Sequence, residues 1–191
     1  MLKLVKLEKK YQPQLEEMMD EWTAAGEKII PWSIRKCDYH RFDEYLESLE
    51  VKETAGEYVP DDTYFCLDTE RDIFIGAVNI RHELNDRLKL EGGHIGDGIR
   101  PGERGKGFGT KMIALALEEC EKLGIQRVLM CCAKENAASA RTIIKNGGVL
   151  ENEVRVGQEM IQRYWIQKEN KAETDGGYQI TGLENGSTAD L

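Results

Sequence analysis

The stretch that most restricts the fold is Arg100-Pro101-Gly102-Glu103-Arg104-Gly105-Lys106-Gly107-Phe108-Gly109-Thr110-Lys111, which lies between a strand-like pattern and the most regular helical pattern in the chain. Glycine lets a backbone turn tightly and meet a ligand with no Cβ in the way. Free amides at a helix start, backed by the helix dipole, attract anionic oxygens. Arg104 and Lys106 add positive charge. The segment therefore reads as a strand–turn–helix cradle suited to a pyrophosphate. Its spacing excludes two other glycine motifs. A P-loop needs GxxxxGK followed by Ser or Thr, whereas Phe108 follows Gly107. A dinucleotide fingerprint counted from Gly105 and Gly107 would place its third glycine at Thr110, and the strands ahead of the loop do not suggest a βαβ unit.

The patterns on either side predict one α/β (α+β) domain. Leu2, Leu4 and Leu7 suggest a first strand, and Leu15, Met18, Met19 and Trp22 recur at helical spacing between Tyr11 and about Ala25. A second helix is expected from about Asp38 to Glu50. Strands at Thr63–Asp68, Ile73–Ile80 and about Gly92–Arg100 form an antiparallel set. A helix from Lys106 to about Leu123 carries Met112, Ile113, Ala116, Leu117 and Cys120 as its buried stripe. A strand at Arg127–Cys132, a helix at Ala137–Lys145, and strands at Val149–Val156 and Met160–Gln167 complete a mixed, mostly antiparallel central sheet flanked by helices. The domain is read as residues 1–167. Residues 168–191 are polar and glycine-containing without helical or strand periodicity, which predicts a flexible tail.

Composition narrows the class. No run approaches the roughly 18 apolar residues of a membrane helix, and the alternating start lacks the apolar stretch of a signal peptide. Five cysteines in no disulfide pattern suit a reducing compartment, so a cytoplasmic protein is expected. There is no CxxC pair and no metal-ligand spacing among the three histidines, so no metal site is expected. The net charge of −9 opposes non-specific nucleic-acid binding.

The cradle also carries a family resemblance. Arg104-Gly105-Lys106-Gly107-Phe108-Gly109 matches the R/Q-x-x-G-x-G/A signature of GCN5-related N-acetyltransferases, and Ile99-Arg100-Pro101 matches the lead-in from their fourth strand. Asn136-Ala137-Ala138-Ser139-Ala140, ending in Lys145-Asn146-Gly147-Gly148, resembles the block after their fifth strand. The resemblance is closest from about Gly92 to Val154 and extends in element order over residues 1–167. It implies acetyl-CoA as cosubstrate, bound where the fourth and fifth strands splay apart. The pyrophosphate would lie on Arg104, Gly105, Lys106, Gly107, Phe108, Gly109 and Thr110, the pantetheine against Ile99, with Asn136 and Ser139 facing it from the other side. Asn136 is equally well placed as a helix N-cap. The implied reaction is direct acetyl transfer to an amine, on a small molecule or a protein, in a ternary complex. A non-catalytic acyl-CoA sensor of the same fold is the alternative, and a homodimer is left open.

Direct transfer needs a neutral amine and a group to take its proton. Glu91, eight residues before Ile99, is one candidate; His94, which titrates near neutrality, is a second; Asp97 is a third. Strict alternation would put Glu91 and Asp97 on one strand face and His94 on the other, unless Gly96 and Gly98 accompany a bulge. Many relatives carry a tyrosine seven residues after the asparagine to protonate the departing thiolate. Here that position is Ile143, so Tyr164 becomes the candidate acid, or the thiolate leaves unassisted. On the acceptor side, Trp32, Tyr45, Arg81, His82, Tyr164 and Trp165 are candidates by position, although aromatic residues in such places are usually core.

Overall fold

The structure is a computed structural model that describes residues 1–167. The predicted tail at 168–191 lies outside the described residues. The chain runs β1 (Leu2–Val5), α1 (Gln12–Ala24), α2 (Phe42–Ser48), β2 (Asp61–Asp68), β3 (Ile73–Arg81), β4 (Ile95–Ile99), α3 (Phe108–Lys122), β5 (Arg127–Ala133), α4 (Ala137–Lys145), β6 (Val149–Val156) and β7 (Glu159–Gln167). The order is the one the sequence predicts.

The strands form two antiparallel sheets, β1-β2-β3-β4 and β5-β7-β6. Two apolar clusters cover opposite faces. Leu15, Met18, Met19 and Trp22 of α1, with Phe42 and Tyr45 of α2, pack against Phe65, Leu67 and Phe74. Met112, Ile113, Ala116, Leu117 and Cys120 of α3 pack with Val78, Ile80, Ile95, Met130 and Cys132 on the other side. The α3 stripe is the predicted one, and each large aliphatic side chain buried there stabilises by about 1.5–3 kcal/mol.

Predicted boundaries shift at several elements. The second helix is shorter than expected, and β4 begins at Ile95 rather than Gly92. Residues Leu88–Gly92 instead form a single π-helical turn, closed at Gly93, whose φ of 64° suits glycine. Gly93 also leaves no room for a side chain, because a Cβ there would lie 2.5 Å from the Leu129 carbonyl oxygen.

That contact marks the joint between the sheets. The His94 amide donates to the Leu129 carbonyl at 2.7 Å, and the Leu129 amide donates to His94 Nδ1 at 2.9 Å. Among the described residues no ladder continues past it, so the facing edges of β4 and β5 are left unpaired. Unpaired strand edges present backbone donors and acceptors to whatever lies between them. The antiparallel sheet expected from sequence is thus divided between β4 and β5, where the resemblance implies that the strands splay, and is pinned at one end.

Candidate active site

The cleft between β4 and β5 is built from three directions. Arg100 donates its amide to the Ile75 carbonyl on β3, so by strand alternation the amides of Asp97 and Ile99 face the open edge. At the end of β4 the chain turns through a 3-10 turn, Pro101–Glu103, into the glycine loop. Arg100 fixes that turn. Its buried guanidinium donates to Glu21 Oε2 at 2.6 Å, Glu17 Oε1 at 2.9 Å and the Phe74 carbonyl at 3.2 Å, while the Gly102 amide donates to Glu21 Oε1 at 2.7 Å. A second ion-pair group, Asp68–Arg71–Glu103, secures the turn from β2, with both Arg71 Nη atoms on the Glu103 carboxylate.

Residues 104–107 are solvent-exposed. Gly105 and Gly107 have φ of 75° and 80°, and nothing lies within 4 Å of a Cβ placed on either. Gly107 is the N-cap of α3 and supplies no side-chain cap, so the first α3 amides remain available. Gly109 sits beside Ile99 Cγ1 and Thr142 Oγ1 at 3.8 and 3.7 Å from its would-be Cβ, which brings the ends of β4, α3 and α4 together. Asn146 Nδ2 ties α4 to the first turn of α3 by donating to the Thr110 carbonyl at 3.2 Å.

The two loop cations are placed differently from the expectation. Arg104 turns back from the loop: its Nε donates to the Ile99 carbonyl at 2.9 Å, its Nη1 pairs with Glu27, and it lies over the Trp22 ring. Lys106 pairs with Glu103 at 3.3 Å. Both charges are compensated, so the anion-attracting character of the loop rests on backbone amides and the α3 dipole. Asn136 caps α4, accepting the Ser139 amide on Oδ1 at 3.1 Å.

The candidate proton acceptors separate clearly. Glu91 is in the π-helical turn, not on a strand, and its carboxylate faces Arg87 at 3.8 Å. His94 is buried and its Nδ1 lone pair is occupied by the Leu129 amide. That bond assigns the ring proton to Nε2, and burial together with Arg81 holds the imidazole pKa down to about 4. No lone pair is left to receive a proton. Asp97 lies on β4, on the face of Ile95 and Ile99, with partial exposure and no hydrogen bond to its carboxylate among the described residues. Desolvation by surrounding apolar groups raises its pKa to about 6. Tyr164, buried on β7, donates its hydroxyl to Gln162 Oε1 at 2.8 Å, and burial, with Cys132 and Glu153, pushes its pKa up.

On the opposite face of β4, Gly96 and Gly98 produce no bulge. They allow the Ile30-Pro31 connection to lie directly on the strand. A Cβ at Gly98 would meet the Ile30 carbonyl oxygen at 2.3 Å, and one at Gly96 would meet Arg81 Nη2 at 3.0 Å and Pro31 Cβ at 3.4 Å. Of the acceptor-side candidates, Tyr45 is core, donating to the Ile34 carbonyl, and His82 pairs with Asp62. Trp165 packs edge-on to His94 beneath Arg127. Trp32 is partly exposed and stacks on Tyr58 at 5.2 Å. Arg81 reaches Gly96 on β4.

The sequence model of the acetyltransferase (GNAT) domain family matches residues 2–149. The chain belongs to the GNAT acetyltransferase family. Solved GNAT structures share its fold at low identity. The spermidine/spermine N-acetyltransferase SpeG from Vibrio cholerae superposes with a TM-score of 0.57 at 20% identity, covering 87% of this chain and 95% of that one. The microcin C7 self-immunity acetyltransferase MccE, solved with acetyl-CoA and AMP, gives 0.61 at 16%, covering 87% and 92%. The ribosomal L7/L12 α-N-protein acetyltransferase RimL, solved with coenzyme A, gives 0.63 at 14%, covering 87% and 93%. No curated protein matches the sequence. Among the described residues no helix is long and apolar enough to cross a membrane, and no group of His, Cys, Asp and Glu could hold a metal ion.

Sequence reasoning missed the two ion-pair groups behind the loop. Arg100 meets Glu17 and Glu21 across 83 and 79 residues of chain, and Arg71 meets Glu103 across 32. No local pattern announces such partners.

Proposed function

We propose that this GNAT protein transfers an acetyl group from acetyl-CoA directly to an amine, on a small molecule or a protein, in a ternary complex within the β4–β5 cleft. The observation that carries the reading is the conjunction of two unpaired strand edges with an exposed glycine loop and an uncapped α3 start at the same end of β4. Support for a diphosphate comes from Gly105 and Gly107, where a left-handed backbone leaves open space in place of side chains. Residues 105–110 would hold the diphosphate on their amides. Ile99 would offer its amide, Asn136 and Ser139 the opposite wall, and Arg104 would fix the loop by its bond to the Ile99 carbonyl.

Bound acetyl-CoA supplies an activated acetyl thioester. Asp97 takes the proton of the attacking amine; its desolvated carboxylate, raised to about 6, is a stronger base than an ordinary aspartate while ionised at neutral pH. This role replaces those first considered for Glu91 and His94. The open-edge amide of Asp97 holds the negative charge that develops on the acetyl oxygen. Burial raises the Cys132 thiol pKa, keeping it protonated, which favours direct transfer over an acyl-enzyme. Tyr164 is committed to Gln162, so the departing thiolate takes its proton from solvent.

The test is release of free thiol from acetyl-CoA on addition of each member of a mixed amine panel. Release dependent on both partners supports transfer. Tight acetyl-CoA binding with no release for any amine would instead favour the non-catalytic sensor.

A further inference from the structure

Resting on that reading, we propose that Arg81 recognises a carboxylate on the acceptor, so that the amine substrate carries an acid group. Arg81 ends β3, and its Nη1 donates to the carbonyls of Gly92 and Gly93 at 3.1 and 3.0 Å. Those two bonds aim the guanidinium across β4. Its Nη2 reaches Gly96, one residue from Asp97, on the face covered by Pro31. Nη2 and Nε have no hydrogen-bond partner among the described residues, yet the side chain keeps some solvent contact.

Its charge is offset only at longer range, by Asp61. Among the described residues no carboxylate forms an ion pair with Arg81. Asp61 lies opposite it across β2 and β3, but Asp61 Oδ1 accepts the Val51 amide. The two other described arginines that are not solvent-exposed, Arg100 and Arg163, each hold a carboxylate. A partly desolvated guanidinium held by carbonyls alone is a preorganised fork for a carboxylate.

Arg163 lies on this side, as the cross-strand partner of Cys131, with its own charge balanced by Glu151 at 3.1 Å. Lys36 sits 5.0 Å over the Trp32 ring, donates only to the Leu49 carbonyl at 3.3 Å, and has no ion pair among the described residues. Trp32 follows the Pro31 that covers Gly96. Lys36, like Arg81, is offset only by carboxylates at longer range, Asp61 among them. Like charges facing a ligand raise the cost of binding it, so a polycationic amine is opposed here and an amine bearing an anion is favoured.

The experiment compares matched acceptors with the full-length protein: an amino acid, its carboxamide and its decarboxylated amine, alongside spermidine, by thiol release from acetyl-CoA. The wild type should favour the free acid over the carboxamide by about tenfold or more in kcat/KM, mainly through KM, as expected for one charge-assisted contact. Arg81→Gln should bring that ratio close to one. Calorimetric binding of the N-acetyl amino acid and its carboxamide to the CoA-loaded wild type gives the same comparison without turnover or a variant. Equal use of acid and carboxamide, or preference for spermidine, overturns the proposal and leaves the transferase reading intact. Failure of acetyl-CoA to bind overturns both.

Discussion

Replacing His94 by Asn separates a structural pin from a catalytic base. In the wild type the ring accepts the Leu129 amide and stays neutral, because burial and Arg81 depress its pKa from 6.5 to about 4. Unfolding returns it to its ordinary value. Between those limits the unfolded chain binds the proton and the native chain does not, so the contribution of His94 is fully present above pH 6.5 and is lost as pH falls through 4. A gap of about 2.5 pKa units corresponds to about 3 kcal/mol at most, and about 2 kcal/mol after allowance for solvent screening. Asp97 works in the opposite sense, since its raised carboxyl gains a proton in the native state first. The raw wild-type curve therefore understates the effect, and the difference between proteins is needed. Asn offers Oδ1 near the place of Nδ1 but does not titrate. Urea unfolding at intervals from pH 7.5 to 4 should show the wild type losing about 2 kcal/mol relative to His94→Asn. The variant should retain transferase activity. Parallel stability curves would refute the buried, neutral histidine; a collapse of activity with unchanged stability would restore His94 as the base.

Other expectations follow from the same geometry. Because a base must be ionised, kcat/KM should fall about tenfold per pH unit below about 6, and Asp97→Asn should remove that limb while lowering the rate about a hundredfold or more. Tyr164→Phe should lose only the Gln162 bond, about 1 kcal/mol of stability, and keep transfer free of the hundredfold loss that removing a general acid causes. Gly98→Ala should cost about 1–3 kcal/mol in denaturant titrations, because its Cβ would strike the Ile30 carbonyl 2.3 Å away. Asn136→Ala should remove the α4 cap at a cost of about 1 kcal/mol by thermal or urea unfolding.

The fold was legible where physics is local. The α3 stripe of Met112, Ile113, Ala116, Leu117 and Cys120 repeats at helical spacing, and the positive φ of Gly105 and Gly107 is a property that glycine announces. The sheet joint was not legible. It depends on a π-helical turn and on Leu129 donating to a side chain 35 residues away, neither of which leaves a periodic trace. That is why Glu91 and His94 first looked like strand residues facing a cleft. The charges of Arg104 and Lys106 misled for a related reason: composition shows a cation but not the Glu27 or Glu103 that neutralises it. Gly96 and Gly98 signalled an irregular backbone by residue type, whereas their use is to admit the Ile30-Pro31 connection.

The central claim is that the open end of the β4–β5 joint receives a CoA diphosphate. Titration of isotope-labelled protein with CoA, followed by backbone amide NMR, tests it most directly. The amides of residues 105–110 should shift saturably together with those of Asp97 and Ile99. Saturable binding that leaves these amides unmoved and perturbs another surface would contradict it.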